Sequence, residues 1–177
     1  MRLLLERDEV DPDTVDKCGQ TPLSFAARNG HEGVVRILLG WSDVNPNAPN
    51  EYGQTPLSFA AQNGHEGAVG VLLERYGVGP DIPDLHGQTP LSFAARNGHE
   101  AVVRILLGRN VNPNSPDNYG RTPLWLATQN GNRRIACLLL NSAYFIPRYP
   151  ASLVPTKRFC PEPPEPSDPP FKRTYRF

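Results

Sequence analysis

Thr21–Glu32 reads TPLSFAARNGHE, and Thr89–Glu100 repeats it letter for letter. Between them, Thr55–Glu66 reads TPLSFAAQNGHE, with Gln62 the one changed residue. A looser version, TPLWLATQNGNR, runs from Thr122 to Arg133. Self-similarity at a fixed period governs how the rest of a chain is read. The glycines ahead of each T-P pair, Gly19, Gly53, Gly87 and Gly120, are 34, 34 and 33 residues apart. A second marker keeps the same step: Val10-Asp-Pro-Asp, Val44-Asn-Pro-Asn, Val78-Gly-Pro-Asp and Val111-Asn-Pro-Asn. It begins one unit ahead of the first marker, so the chain is expected to open inside a unit and to be a piece of a longer array.

Each unit predicts two short helices. Thr21 is a good N-cap, and Pro22 suits the first helical position, where a missing N–H costs nothing. Leu23, Phe25, Ala26 and Ala27 carry the first helix, and Asn29-Gly30 ends it, since glycine accepts the left-handed conformation common at helix C-termini. His31-Glu32 opens a second helix whose apolar face is Val34, Val35, Ile37, Leu38 and Leu39. Residues 40–50, rich in Asn, Pro, Asp and Ser, read as turn and loop. Helices of about eight residues cannot bury such faces alone, whereas stacked copies bury them in one continuous core.

The G-Q-T-P-L-S-F-A-A string, the Gly30-His31 pair and the VVRILL run at Val34–Leu39 resemble the ankyrin repeat, a β-turn followed by two antiparallel helices with the signature T-P-L-H-x-A. The resemblance covers residues 1–146. It implies an all-α ankyrin-repeat solenoid with turn or hairpin fingers: a partial leading repeat at 1–15, repeats at 16–49, 50–83 and 84–116, and a terminal repeat at 117–146. The signature His is replaced by Ser24, Ser58, Ser92 and Trp125. That pattern and the V-N-P-N turn are similar to fungal-type ankyrin arrays. Trp125 is expected to cover the last apolar face.

Residues 19–40 and 87–108 differ only at Gly33 versus Ala101. The residues just before each glycine share almost nothing. By the resemblance they sit at the fingertips, which with the exposed side of each first helix face a protein partner. The candidate partner-binding residues are Lys17, Cys18, Gln20 and Arg28, then Glu51, Tyr52, Gln54 and Gln62. They continue with Leu85, His86, Gln88 and Arg96, then Asn118, Tyr119, Arg121 and Gln129. Asn29, Asn63, Asn97 and Asn130 lie beside them. Aromatic residues and Arg most often anchor interfaces, which singles out Tyr52, His86, Arg96, Tyr119 and Arg121.

His31, His65 and His99 recur with the repeat. Units stacked roughly 10 Å apart cannot share a zinc ion that needs ligands at about 2 Å, so a structural hydrogen bond is expected of them. Ser24 with His31 lacks an acidic orienting group and recurs three times, unlike a catalytic site. No phosphate-binding glycine loop is present. No catalytic residue, cofactor or metal is therefore expected.

Eighteen Lys and Arg balance eighteen Asp and Glu, which gives no global field toward nucleic acid or membrane. No apolar run approaches the roughly 18 residues of a membrane span. Cys18, Cys137 and Cys160 form no C-x-x-C and no disulfide framework, so an intracellular location, cytoplasmic or nuclear, is expected. Nine of the 20 prolines fall in residues 147–177, which reads as a disordered, polyproline-like tail. Within it, Arg158, Pro161 and Pro164 fit R-x-x-P-x-x-P, a ligand pattern for SH3-type domains. The expected function is a non-enzymatic scaffold that binds a protein through fingers and a concave groove. The alternative is the sensor part of a larger multidomain signalling protein of the NTPase–ankyrin type.

Overall fold

A computed structural model describes residues 11–109 and 111–143. The chain divides into two units, Met1–Ile146 and Pro147–Phe177. All described residues belong to the first; the expectations for the leading ten residues and for the Pro-rich tail lie outside them.

Eight helices and no strands occur among the described residues. They come in four pairs: α1 (Pro22–Arg28) with α2 (Glu32–Leu39), α3 (Pro56–Asn63) with α4 (Glu66–Glu74), α5 (Pro90–Asn97) with α6 (Glu100–Leu107), and α7 (Pro123–Gln129) with α8 (Arg133–Ala143). The first helices α1, α3, α5 and α7 pack against one another in sequence order. The second helices α2, α4, α6 and α8 form a parallel row beneath them.

Local chemistry sets each helix. Thr21, Thr55, Thr89 and Thr122 are the N-caps, each hydroxyl accepting the N–H three residues on at 3.2 Å, with proline following. Ser24, Ser58 and Ser92 are fully buried and pair with the capping threonine, Oγ to Oγ1, at 3.1–3.2 Å. A buried hydroxyl without such a partner would be costly. This pairing is how the chain tolerates serine at the signature histidine position. The turn to the second helix runs through a glycine of positive φ: Gly30, Gly64, Gly98 and Gly131, at +68°, +74°, +85° and +73°.

The core is a ladder with one rung per unit. Leu23, Leu57 and Leu91 from the first helices meet Leu38, Leu72, Leu106 and Leu139 from the second, between alanines Ala27, Ala61, Ala95 and Ala127. Burying one leucine contributes about 1.5–3 kcal/mol, and no pair could bury its leucines without a neighbouring pair. The expected apolar face of the second helix needs one correction: Ile37 is 47% exposed, while Val71, one unit on, is 6% exposed. Among the described residues α2 packs against α4 and α1 and has no helix on its other flank, so Ile37 is left uncovered. Trp125 differs too. It remains 45% exposed, with the Arg121 guanidinium 5.8 Å from its ring.

Candidate functional site

The segment ahead of each first helix is a tight turn locked by one side chain. In the first, the N–H of Asp16 donates to Gln20 O and that of Gly19 to Asp16 O, while Asp16 Oδ1 accepts from the N–H groups of Cys18 and Gln20 at 2.8 Å. Asn50, Asp84 and Asp117 do the same with the residues two and four further on, at 2.8–3.0 Å. These four residues stand 34, 34 and 33 apart. That spacing was the available signal for a role that the residues nearest each glycine overshadowed.

Neighbouring turns are tied by one backbone bond per junction: Glu51 N–H to Cys18 O at 3.2 Å, Leu85 N–H to Tyr52 O at 2.9 Å and Asn118 N–H to His86 O at 2.9 Å. Close approach here requires glycine. A Cβ on Gly53, whose φ is +78°, would sit 2.9 Å from the Leu85 nitrogen. The result is a row of fingers at a fixed step.

The fingertips place Lys17, Cys18, Glu51, Tyr52, Leu85, His86, Asn118 and Tyr119 at the surface. Tyr52, Leu85 and Tyr119 are 57%, 66% and 72% exposed. Behind them a groove of about 290 Å³ brings together Cys18, Arg28, Tyr52, Gln54, Gln62 and Asn63. Gln20 also lines this groove but is only 8% exposed, and Gln88, at 7%, is not presented at the surface as expected. Both are buried, because the turn holds each at its N–H and its C=O. The Gln20 amide oxygen accepts from Arg28 Nη1 at 3.3 Å, and the Gln88 amide oxygen is buried without a partner. Gln129 is exposed on α7. Asn29, Asn63 and Asn130 turn back on their own helices, donating to the carbonyls of Phe25, Phe59 and Leu126. Asn97 reaches across to Gln62 O at 2.7 Å.

Three arginines on this side stand beside aromatic rings. Arg28 lies 5.8 Å from the Phe59 ring, Arg96 5.3 Å from Phe93, and Arg121 4.7 Å from Tyr119. Arg121 also donates through Nε to Asp117 Oδ2 at 2.7 Å. Burial pushes the Asp117 carboxyl up, but the Arg121 and Tyr119 hydrogen bonds and the guanidinium charge outweigh it and hold the group below its ordinary 3.8.

The repeating histidines stitch units together. His65 Nε2 meets Arg28 O at 2.9 Å and His99 Nε2 meets Gln62 O at 3.0 Å. A carbonyl only accepts, so Nε2 carries the proton. In the last unit Asn132 stands in, donating Nδ2 to Ala95 O and Arg96 O at 2.9 and 3.0 Å. Each ring packs where a glycine makes room: a Cβ on Gly30 would lie 2.6 Å from His65 Nδ1. Among the described residues no group of three or more His, Cys, Asp or Glu could hold a metal ion. Cys18 is a free, exposed thiol.

Helix pairs under a finger at a 34-residue step define a repeat protein whose units hold one another in place. The chain belongs to the ankyrin repeat family: the family model for ankyrin repeats (3 copies) matches residues 1–84 and 72–148. A search of curated proteins finds no match. Ankyrin repeats generally serve as protein–protein interaction modules, and the family is typically non-enzymatic. No helix among the described residues is long and apolar enough to cross a membrane.

Proposed function

We propose that this chain is a non-enzymatic binding module that presents its finger row and the adjoining first-helix groove to a protein partner. The carrying observation is the contrast within each unit. Residues of the stacked core recur from copy to copy, while the fingertips carry unlike side chains, with Tyr52, Leu85 and Tyr119 more than half exposed on a backbone fixed by cross-unit hydrogen bonds. A rigid backbone lowers the ordering cost of association, and large exposed aromatic side chains are the residue type that anchors interfaces.

The test compares the 177-residue chain with a Tyr52→Ala/Leu85→Ala/His86→Ala/Tyr119→Ala variant as baits in a pull-down. All four side chains are exposed, so the helical circular dichroism should be unchanged. A partner retained by the first bait and lost by the second supports the reading. Recovery of the same proteins by both baits would move binding away from the fingers.

A further inference from the structure

The charges of the two helix rows are sorted. Helices α1, α3, α5 and α7 contain two ionisable residues, Arg28 and Arg96, and no acid. Every helical Glu lies in the second row, on α2, α4 and α6, where Arg36 pairs with Glu32 and Glu74 and Arg104 pairs with Glu100. Arg28 and Arg96 have no carboxylate within ion-pair distance among the described residues, whereas Arg36, Arg104 and Arg121 each do. They are instead held beside the rings of Phe59 and Phe93, and Arg28 also contacts Gln20. A guanidinium beside an aromatic ring keeps its hydrogen-bonding edge available for a planar, two-oxygen acceptor. Two acids of the fingers are exposed, Asp16 and Glu51; the Asp16 carboxylate is occupied by two backbone N–H groups.

From this sorting we infer that the groove takes an acidic protein segment, with partner carboxylates on Arg28 and Arg96 and apolar side chains against Tyr52, Leu85 and Tyr119. The inference rests on the finger-and-groove reading above. The two arginines belong to units two steps apart. With helices packed roughly 8–10 Å apart, they lie roughly 16–20 Å from one another. An extended segment covers that distance in about five or six residues. A nucleic acid fits poorly: duplex DNA carries a charge about every 1.7 Å, which two isolated cations cannot neutralise, and the exposed Leu85 has no counterpart on a phosphate backbone. Gln62 and Gln129 occupy the same position in the alternate units, so glutamine is compatible with the fold there.

The probe is a fluorescein-labelled random copolymer of Glu and Tyr, titrated with the full chain and followed by anisotropy, beside a labelled 20-nucleotide single strand. The variants are Arg28→Gln/Arg96→Gln and, on the opposite row, Arg36→Gln/Arg104→Gln. Salt-dependent copolymer binding is expected, weakened about tenfold or more in the first variant, as charge-assisted contacts imply, and changed less than about twofold in the second. The nucleotide strand should bind more weakly than the copolymer. Equal losses in both variants, tighter binding of the nucleotide strand, or no copolymer binding by the unsubstituted chain would each overturn the inference. A partner lost by the fingertip variant but kept by Arg28→Gln/Arg96→Gln would leave the finger reading standing and remove only the acidic chemistry.

Discussion

Residues 21–32 and 89–100 are the same twelve letters in two settings. In the third unit Phe93 is 2% exposed and Pro90 is buried, while in the first Phe25 is 44% exposed and Pro22 is exposed. His99 bonds to Gln62 O, whereas His31 lines an open groove of about 650 Å³ with Val15, Phe25 and Val34. The letters are the same and Thr21 and Thr89 cap their helices alike, although the first helix ends at Arg28, one position earlier than its counterpart, which runs to Asn97. What differs is the neighbour. A unit's own letters fix its helices, and the unit packed on its N-terminal side fixes how much of it is buried. This nearest-neighbour dependence is the energetic signature of a stacked array.

The comparison breaks most visibly at the phenylalanine. Phe93→Ala removes a buried ring and should cost about 3–5 kcal/mol. Phe25→Ala removes a half-exposed one and should cost about 1 kcal/mol or less. Urea denaturation of the two variants reads the difference directly. Equal midpoints would mean that the first unit is covered as well as the third.

The histidines sharpen the same point at a smaller scale. His99→Ala loses a cross-unit hydrogen bond, a net contribution of about 0.5–1.5 kcal/mol. His31→Ala has no such bond to lose among the described residues and should move the midpoint little. Amide hydrogen exchange in α5 and α6 should rise in the first variant and be unchanged in the second. The one letter separating residues 19–40 from 87–108 offers the reverse test. A Cβ on Gly33 meets nothing within 4 Å, and Ala101 already occupies that place in the third unit. Gly33→Ala should stabilise α2 by about 0.5–1 kcal/mol, the helical cost of glycine.

The fold was legible because each element carried a signal with a mechanism: Thr-Pro at helix starts, Asn-Gly at stops, and leucines at a fixed step. The structural part of the histidines was legible as well, since metal sharing failed on distance alone. Less visible was anything set by contacts across a turn or across units. Asp16, Asn50, Asp84 and Asp117 look like ordinary turn residues, and only coordinates show each carboxyl or amide oxygen closing two N–H groups. Gln20 and Gln88 resemble surface residues by type, yet the turn buries them. Ile37 shares its register with the buried Val71; its exposure belongs to the neighbour.

The smallest effect lies in the loops that link each second helix to the next finger. Asn47 Oδ1 accepts from Gly79 N–H at 2.9 Å while its Nδ2 donates to Gly77 O at 2.7 Å. Asp81, at the same place one unit on, accepts from Asn112 N–H at 2.8 Å, and its other oxygen is buried without a partner. Burial raises the Asp81 carboxyl above its ordinary 3.8, only partly offset by the Asn112 N–H. A raised value in the folded state means the folded chain holds the proton more tightly, so this contribution is complete below about 3.8 and is lost as pH rises through the raised value. Asp117, held low by Arg121, runs the other way: its contribution is present above 3.8 and disappears as pH falls through the lowered value. Asp81→Asn copies Asn47 and removes the ionisable group. Its advantage over the unsubstituted chain should therefore be absent in acid and grow toward neutral pH. Thermal midpoints of the two chains between pH 3 and pH 7 measure it, and parallel curves would show that the Asp81 carboxyl is as well served in the folded loop as in water.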